Sequence, residues 1–104
     1  MSPSPQPLPD SEVAARLAKL PSWRLETNQL ARDLRFSAFL KAIDFVNRLA
    51  AVAEEMDHHP DITISWRRVQ LRLTSHDAGG ITPRDFALAG KIDSLLSEMS
   101  SVVR

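Results

Sequence analysis

Residues 62–73 constrain the fold more than any other stretch of the chain. Ile62, Ile64 and Trp66 alternate with Thr63 and Ser65, and Val69, Leu71 and Leu73 alternate with Gln70, Arg72 and Thr74. Period-two alternation marks a strand with one buried face. A two-residue turn at Arg67-Arg68 would pair 66 with 69, 64 with 71 and 62 with 73, placing every apolar side chain on one face. Arg-Arg is poor chemistry for a type I′ turn. A single apolar face has to be covered by a second layer.

The neighbouring segments supply that layer. Asp10 is positioned to cap a short helix with Glu12 in its first turn and Val13, Leu17 and Leu20 at helical spacing, and Pro21 stops it. Trp23 and Leu25, then Leu30, Leu34 and Phe36, alternate around Thr27-Asn28-Gln29, which predicts a first hairpin. Arg32 interrupts its alternation. Ser37 can cap a long helix ending near Asp57. On a helical wheel Phe36, Phe39, Leu40, Ile43, Val46, Ala50 and Ala53 form one apolar stripe, and Phe45, Leu49, Val52 and Met56 a second one, roughly 120° away. A surface helix of a monomer usually needs one such stripe, so two predict a second subunit. Thr82-Pro83-Arg84-Asp85 opens a last helix with a capping residue, a proline at its first position and an acid at its third. Its stripe is Leu88, Ala89, Ile92, Leu95, Leu96, Met99 and Val103.

The predicted order is α-β-β-α-β-β-α: an α+β, two-layer domain with a four-stranded antiparallel sheet and helices packed on one face. At 104 residues the chain has room for one domain, placed at 10–104. Residues 1–9 hold four of the seven prolines and are expected to be a disordered lead-in with nothing to bury. There is no cysteine, so disulfides and thiolate chemistry are excluded. Thirteen basic side chains balance thirteen acidic ones, which argues against a nucleic-acid surface. No apolar run approaches the roughly 18–20 residues that cross a bilayer, and the first residues lack the pattern of a secretion signal. No membrane association and a cytoplasmic location are expected.

All three histidines, His58, His59 and His76, fall where irregular segments meet the second hairpin. Because the hairpin folds back, residues just before its first strand and just after its second come together. Glu54, on the first stripe one turn before His58, is expected to face the sheet, where a carboxylate needs a partner. Asp85 suits a capping box with Thr82, and it could also orient a histidine. Such a cluster could bind a metal, although adjacent histidines in an extended segment point opposite ways. It could instead carry acid–base chemistry, for which imidazole suits neutral pH. All three lie in irregular segments, so replacing them is expected to leave folding intact.

The stretch Glu54-Glu55-Met56-Asp57-His58-His59-Pro60, Trp66, Leu73-Thr74-Ser75-His76-Asp77, Gly79-Gly80-Ile81-Thr82 and Asp85 resembles the pterin-4a-carbinolamine dehydratase family, as does Trp23 in its P-x-W context. The sequence departs from that family's pattern at Arg67, often Asn, and at Trp66, often Tyr. The resemblance implies dehydration of 4a-hydroxytetrahydropterin (the tetrahydrobiopterin type) to quinonoid dihydropterin, with no cofactor and no metal. It implies His58 and His76 as acid–base groups, His59 as a pterin-binding residue, and Glu54 and Asp85 as residues that orient the imidazoles. Trp23 would be a flat apolar wall, and the chain at His59-Pro60 and at Ser75, His76, Asp77 and Ala78 would hold the pterin's polar edge. A homodimer or homotetramer and a link to an aromatic amino-acid hydroxylase are further expectations. A binding, assembly or coactivator protein on the same fold is the alternative.

Overall fold

Among the described residues, three helices and four strands follow one another in the predicted order. The protein is described by a computed structural model covering residues 6–102, with side chains described as far as Met99. The elements are α1 (Asp10–Leu17), β1 (Arg24–Glu26), β2 (Gln29–Arg35), α2 (Phe39–Met56), β3 (Asp61–Ser65), β4 (Arg68–Leu73), a 3-10 turn at His76–Ala78, and α3 (Pro83–Val102). The four strands form one antiparallel sheet in the order β1-β2-β4-β3. Val69, Leu71 and Leu73 of β4 are fully buried against Phe45 and Leu49 of α2 and Leu88 and Ile92 of α3 in one core.

The second hairpin keeps the expected faces but not the expected register. Ile62 lies opposite Leu71 and Ile64 opposite Val69, so the turn is Trp66-Arg67 and not Arg67-Arg68. The ladder is displaced by two residues, and a slip of two leaves every side chain on its own face, so alternation cannot separate the two registers. Trp66 is therefore a turn residue with φ 57°, 72% exposed, its ring stacked 5.3 Å from the Arg67 guanidinium. In the first hairpin Thr27 and Asn28 both take positive φ (48° and 59°), the requirement of a type I′ turn, and Gln29 already belongs to β2.

Arg32 interrupts the alternation because it lies on the covered face. Leu30, Arg32 and Leu34 stand opposite Leu73, Leu71 and Val69. Its guanidinium is held by Asp93 of α3, whose Oδ1 also accepts the Trp23 indole N–H at 2.8 Å. On the open face Arg24, Glu26, Asp33 and Arg72 form a ring of ion pairs of 2.7–3.2 Å. Hydrogen bonds from Arg24 hold the Glu26 carboxyl below its ordinary range, and Arg72 does the same for Asp33.

Two helix starts differ from expectation. Pro9, not Asp10, occupies the cap of α1, and Asp10 is its first helical residue. Ala38, not Ser37, precedes α2, with no side-chain cap bond. The side of α2 that meets the core is Ala42, Phe45, Leu49 and Ala53, which joins Phe45 and Leu49 of the second stripe to Ala53 of the first. Of the first stripe, Phe39 and Leu40 are exposed, Leu40 to 75%. Glu54 follows the outward side and is exposed, which corrects its expected burial against the sheet.

Of the expected lead-in, residues 1–5 lie outside the described residues. Residues 6–9 depart from it. Leu8 packs on the core and donates its backbone N–H to the Ile81 carbonyl at 2.8 Å, and Pro7 approaches Gly80 so closely that a Cβ there would sit 2.9 Å from it. A chain starting at residue 9 is therefore expected to be about 1–2 kcal/mol less stable than one starting at residue 6. Denaturant melts of the two truncations compare them directly; coincident curves would show that the Leu8 contact carries no stability.

Candidate active site

The turn that ends α2 separates the adjacent histidines. Asp57 takes the left-handed conformation (φ 50°), its N–H bonding the Glu54 carbonyl and that of His58 the Ala53 carbonyl. This pair of bonds is a Schellman motif with aspartate where glycine is usual. It turns His58 inward, 7% exposed, and leaves His59 outside. The exposed His59 Nε2 lies 3.1 Å from Glu54 Oε1, so Glu54 serves His59 and not His58.

His58 Nε2 lies 2.6 Å from Oδ1 of the fully buried Asp85. The other oxygen, Oδ2, accepts the Thr82 N–H and the Ser75 hydroxyl, both at 2.9 Å. Asp85 is thus the third-position acid of the α3 capping box and the partner of His58 at once. His76 opens the 3-10 turn after β4. That turn is closed by Gly79 (φ 78°) and by a bridge between Ser75 and Gly80. The Arg84 guanidinium grips both Asp77 oxygens, at 2.8 and 3.1 Å, and ties this turn to α3. His76 itself has no side-chain hydrogen bond among the described residues and is exposed.

The three histidines border one cleft of about 330 Å³, together with Asp57, Thr74, Ser75, Asp77 and Arg84. Larger grooves, about 420 Å³ beside Phe86 and about 480 Å³ beside Arg35, bring no histidines together. Chemistry rather than size marks the site. Among the described residues no three His, Asp or Glu side chains converge as metal ligands. Pro60, Ala78 and Trp23 are not on the cleft wall. Trp23 is 4% exposed and spends its N–H on Asp93. Ser75, whose main chain is expected to hold substrate, borders the cleft, while its side chain is buried with the hydroxyl engaged. Sequence reasoning quotes Asp57, Thr74 and Arg84 within its motifs without assigning them to the cleft, which all three border.

The family model described as pterin 4 alpha carbinolamine dehydratase matches residues 6–95. The chain belongs to that family. A relative from Picosynechococcus sp., named "Putative pterin-4-alpha-carbinolamine dehydratase", is 50% identical over 88 residues, 85% of this chain and 96% of the relative. A relative of the same name from Mycobacteroides abscessus is 51% identical over 87 residues, 84% and 93% of the two chains. Among solved structures, a transcriptional coactivator/pterin dehydratase from Brucella melitensis superposes with a TM-score of 0.83 at 29% identity, covering 86% of this chain and 98% of that one. A pterin dehydratase-like protein described as a RuBisCO assembly factor in the alpha-carboxysome has a TM-score of 0.61 at 28% identity, covering 71% and 88%. No described helix is long and apolar enough to cross a membrane.

Proposed function

We propose that this pterin carbinolamine dehydratase family member dehydrates 4a-hydroxytetrahydropterin, of the tetrahydrobiopterin type, to quinonoid dihydropterin in the cytoplasm. The observation that carries the reading is the meeting of His58, His59 and His76 around one cleft. Loss of water requires a proton for the hydroxyl on carbon 4a and removal of the proton on nitrogen 5. The C–O bond breaks as water leaves, and the N–H electron pair becomes the new C=N bond. His58 and His76 supply the acid and base, and His59, steadied by Glu54, binds the pterin. The buried Asp85 orients His58. Neither step changes an oxidation state. A direct assay with 4a-hydroxytetrahydropterin, generated by an aromatic amino-acid hydroxylase, is expected to show accelerated dehydration; an uncatalysed rate would leave the assembly or coactivator reading ahead.

The acid–base reading needs no metal. Exhaustive chelation is expected to leave turnover unchanged, and a loss restored by zinc would revive a histidine-bound ion.

We also propose that the chain forms a symmetric homodimer or homotetramer through the outward stripe of α2, where Phe39 and Leu40 are exposed. Monomers rarely leave apolar faces of this kind open. Sedimentation at micromolar concentration is expected to give an oligomer and Leu40→Glu a smaller species. A monomeric wild type would sink the proposal.

A further inference from the structure

His58, Asp85, Ser75 and Thr82 form one buried hydrogen-bonded chain whose donors and acceptors can be counted. Asp85 Oδ2 takes two donors at once, so it carries no proton of its own, and a carboxyl proton would have to sit on Oδ1. The Ser75 hydroxyl has one proton and directs it to that oxygen. Towards Thr82, 2.7 Å away, Ser75 can therefore only accept, and the Thr82 hydroxyl donates. The Thr82 oxygen in turn accepts the Arg84 N–H at 3.3 Å. Both hydroxyl protons thus point down the chain towards Asp85.

At the other carboxylate oxygen, a bare Nε2 would set two lone pairs against each other across 2.6 Å. One proton therefore lies on that contact; imidazole being a stronger base than a carboxylate, it is assigned to His58 Nε2, and in a neutral imidazole the remaining nitrogen, Nδ1, is then the acceptor. His58 has no second side-chain hydrogen bond, and no buried side-chain nitrogen or oxygen among the described residues lacks a partner. Nδ1 is therefore not fully buried, and His58 borders the cleft.

We infer that the Thr82–Ser75–Asp85 chain locks His58 in its Nε2–H tautomer, so that Nδ1 is the proton acceptor offered to the substrate. Ser75 and Thr82 are positioning residues, acting through Asp85, and His58 is the base of the pair. The role of that base rests on the dehydratase reading; the tautomer does not, and it is measured without turnover.

The test is two-bond ¹H–¹⁵N correlation of the full chain carrying ¹⁵N-histidine, at a pH well above the ordinary imidazole value of about 6.5. His59→Gln and His76→Gln variants assign the His58 signals. Wild type is expected to show Nε2–H at His58 with an unprotonated Nδ1. In Asp85→Asn the carboxamide can donate to Nε2, and the tautomer is expected to reverse. Ser75→Ala is expected to lower kcat roughly 3–10-fold at unchanged KM, with Ser75→Thr restoring it. Nδ1–H at His58 in the wild type overturns the lock, as does an unreversed tautomer in a folded Asp85→Asn. If that variant does not fold, the wild-type spectrum still decides. Unchanged kcat in Ser75→Ala removes Ser75 from the chain of influence. An inactive wild type with Nε2–H at His58 would sink the dehydratase reading and leave the lock standing.

Discussion

His76→Ala is expected to lower kcat and kcat/KM together, by on the order of 10²–10⁴-fold, while leaving the melting curve in place. The side chain is exposed and makes no hydrogen bond among the described residues, so its removal takes away the proton-transfer group of the proposed mechanism and little else. His58→Ala is expected to produce a comparable kinetic loss together with a loss of about 1–3 kcal/mol in stability, because it strips the buried Asp85 Oδ1 of its partner. This revises the expectation that all three histidines can be replaced without cost to folding. His59 is outside, paired only with the exposed Glu54, and His59→Ala is expected to raise KM more than it lowers kcat. Steady-state kinetics with parallel melts separate the three patterns. Wild-type turnover in both His58→Ala and His76→Ala would refute the assigned roles.

Asp93→Ala is expected to be the costliest surface-proximal change in stability. One carboxylate oxygen satisfies both the buried Trp23 indole N–H and the Arg32 guanidinium, which lies on the helix-covered face of the sheet. Removing it leaves two donors without an acceptor and one charge without a counter-ion. The Arg32 and Asp93 side chains keep 20% and 32% exposure, so solvent screens part of the penalty. A loss of about 2–4 kcal/mol is expected, lowering the melting midpoint by roughly 8–25 °C. Asp93→Asn retains an acceptor for the indole and should fall between the two. Thermal melts at one fixed protein concentration are the check, and an unchanged midpoint for Asp93→Ala would show that Trp23 and Arg32 find other partners.

The element order was legible because each hydrophobic period was long enough to declare itself. The register of β3 on β4 was not, since displacement by two residues preserves the faces on which that inference rests. The choice fell to Trp66 adopting a positive φ, which no propensity favours for an aromatic residue. The two stripes of α2 were visible, but a wheel does not say which of them meets the sheet, and Glu54 was placed on the wrong side for that reason. The histidine cluster followed from the hairpin's geometry. The double duty of Asp85, cap and histidine partner, was also anticipated, but the capping spacing does not say which histidine it meets or that Ser75 shares its second oxygen. Leu8 was masked by the prolines around it, whose composition suggests disorder whether or not one apolar residue among them is anchored.

That anchor has a practical consequence for how the protein is handled. The turn carrying His76 is tied on one side to α3 through Asp77 and Arg84. On the other, its closing residues Gly80 and Ile81 lie under Pro7 and Leu8. Whatever is fused ahead of residue 6 is thus continuous with a two-residue strap, Pro7 and Leu8, that lies against the loop carrying His76. Kinetic constants of tagged and cleaved protein are expected to differ if that contact matters to the loop, and equal constants would show that it does not.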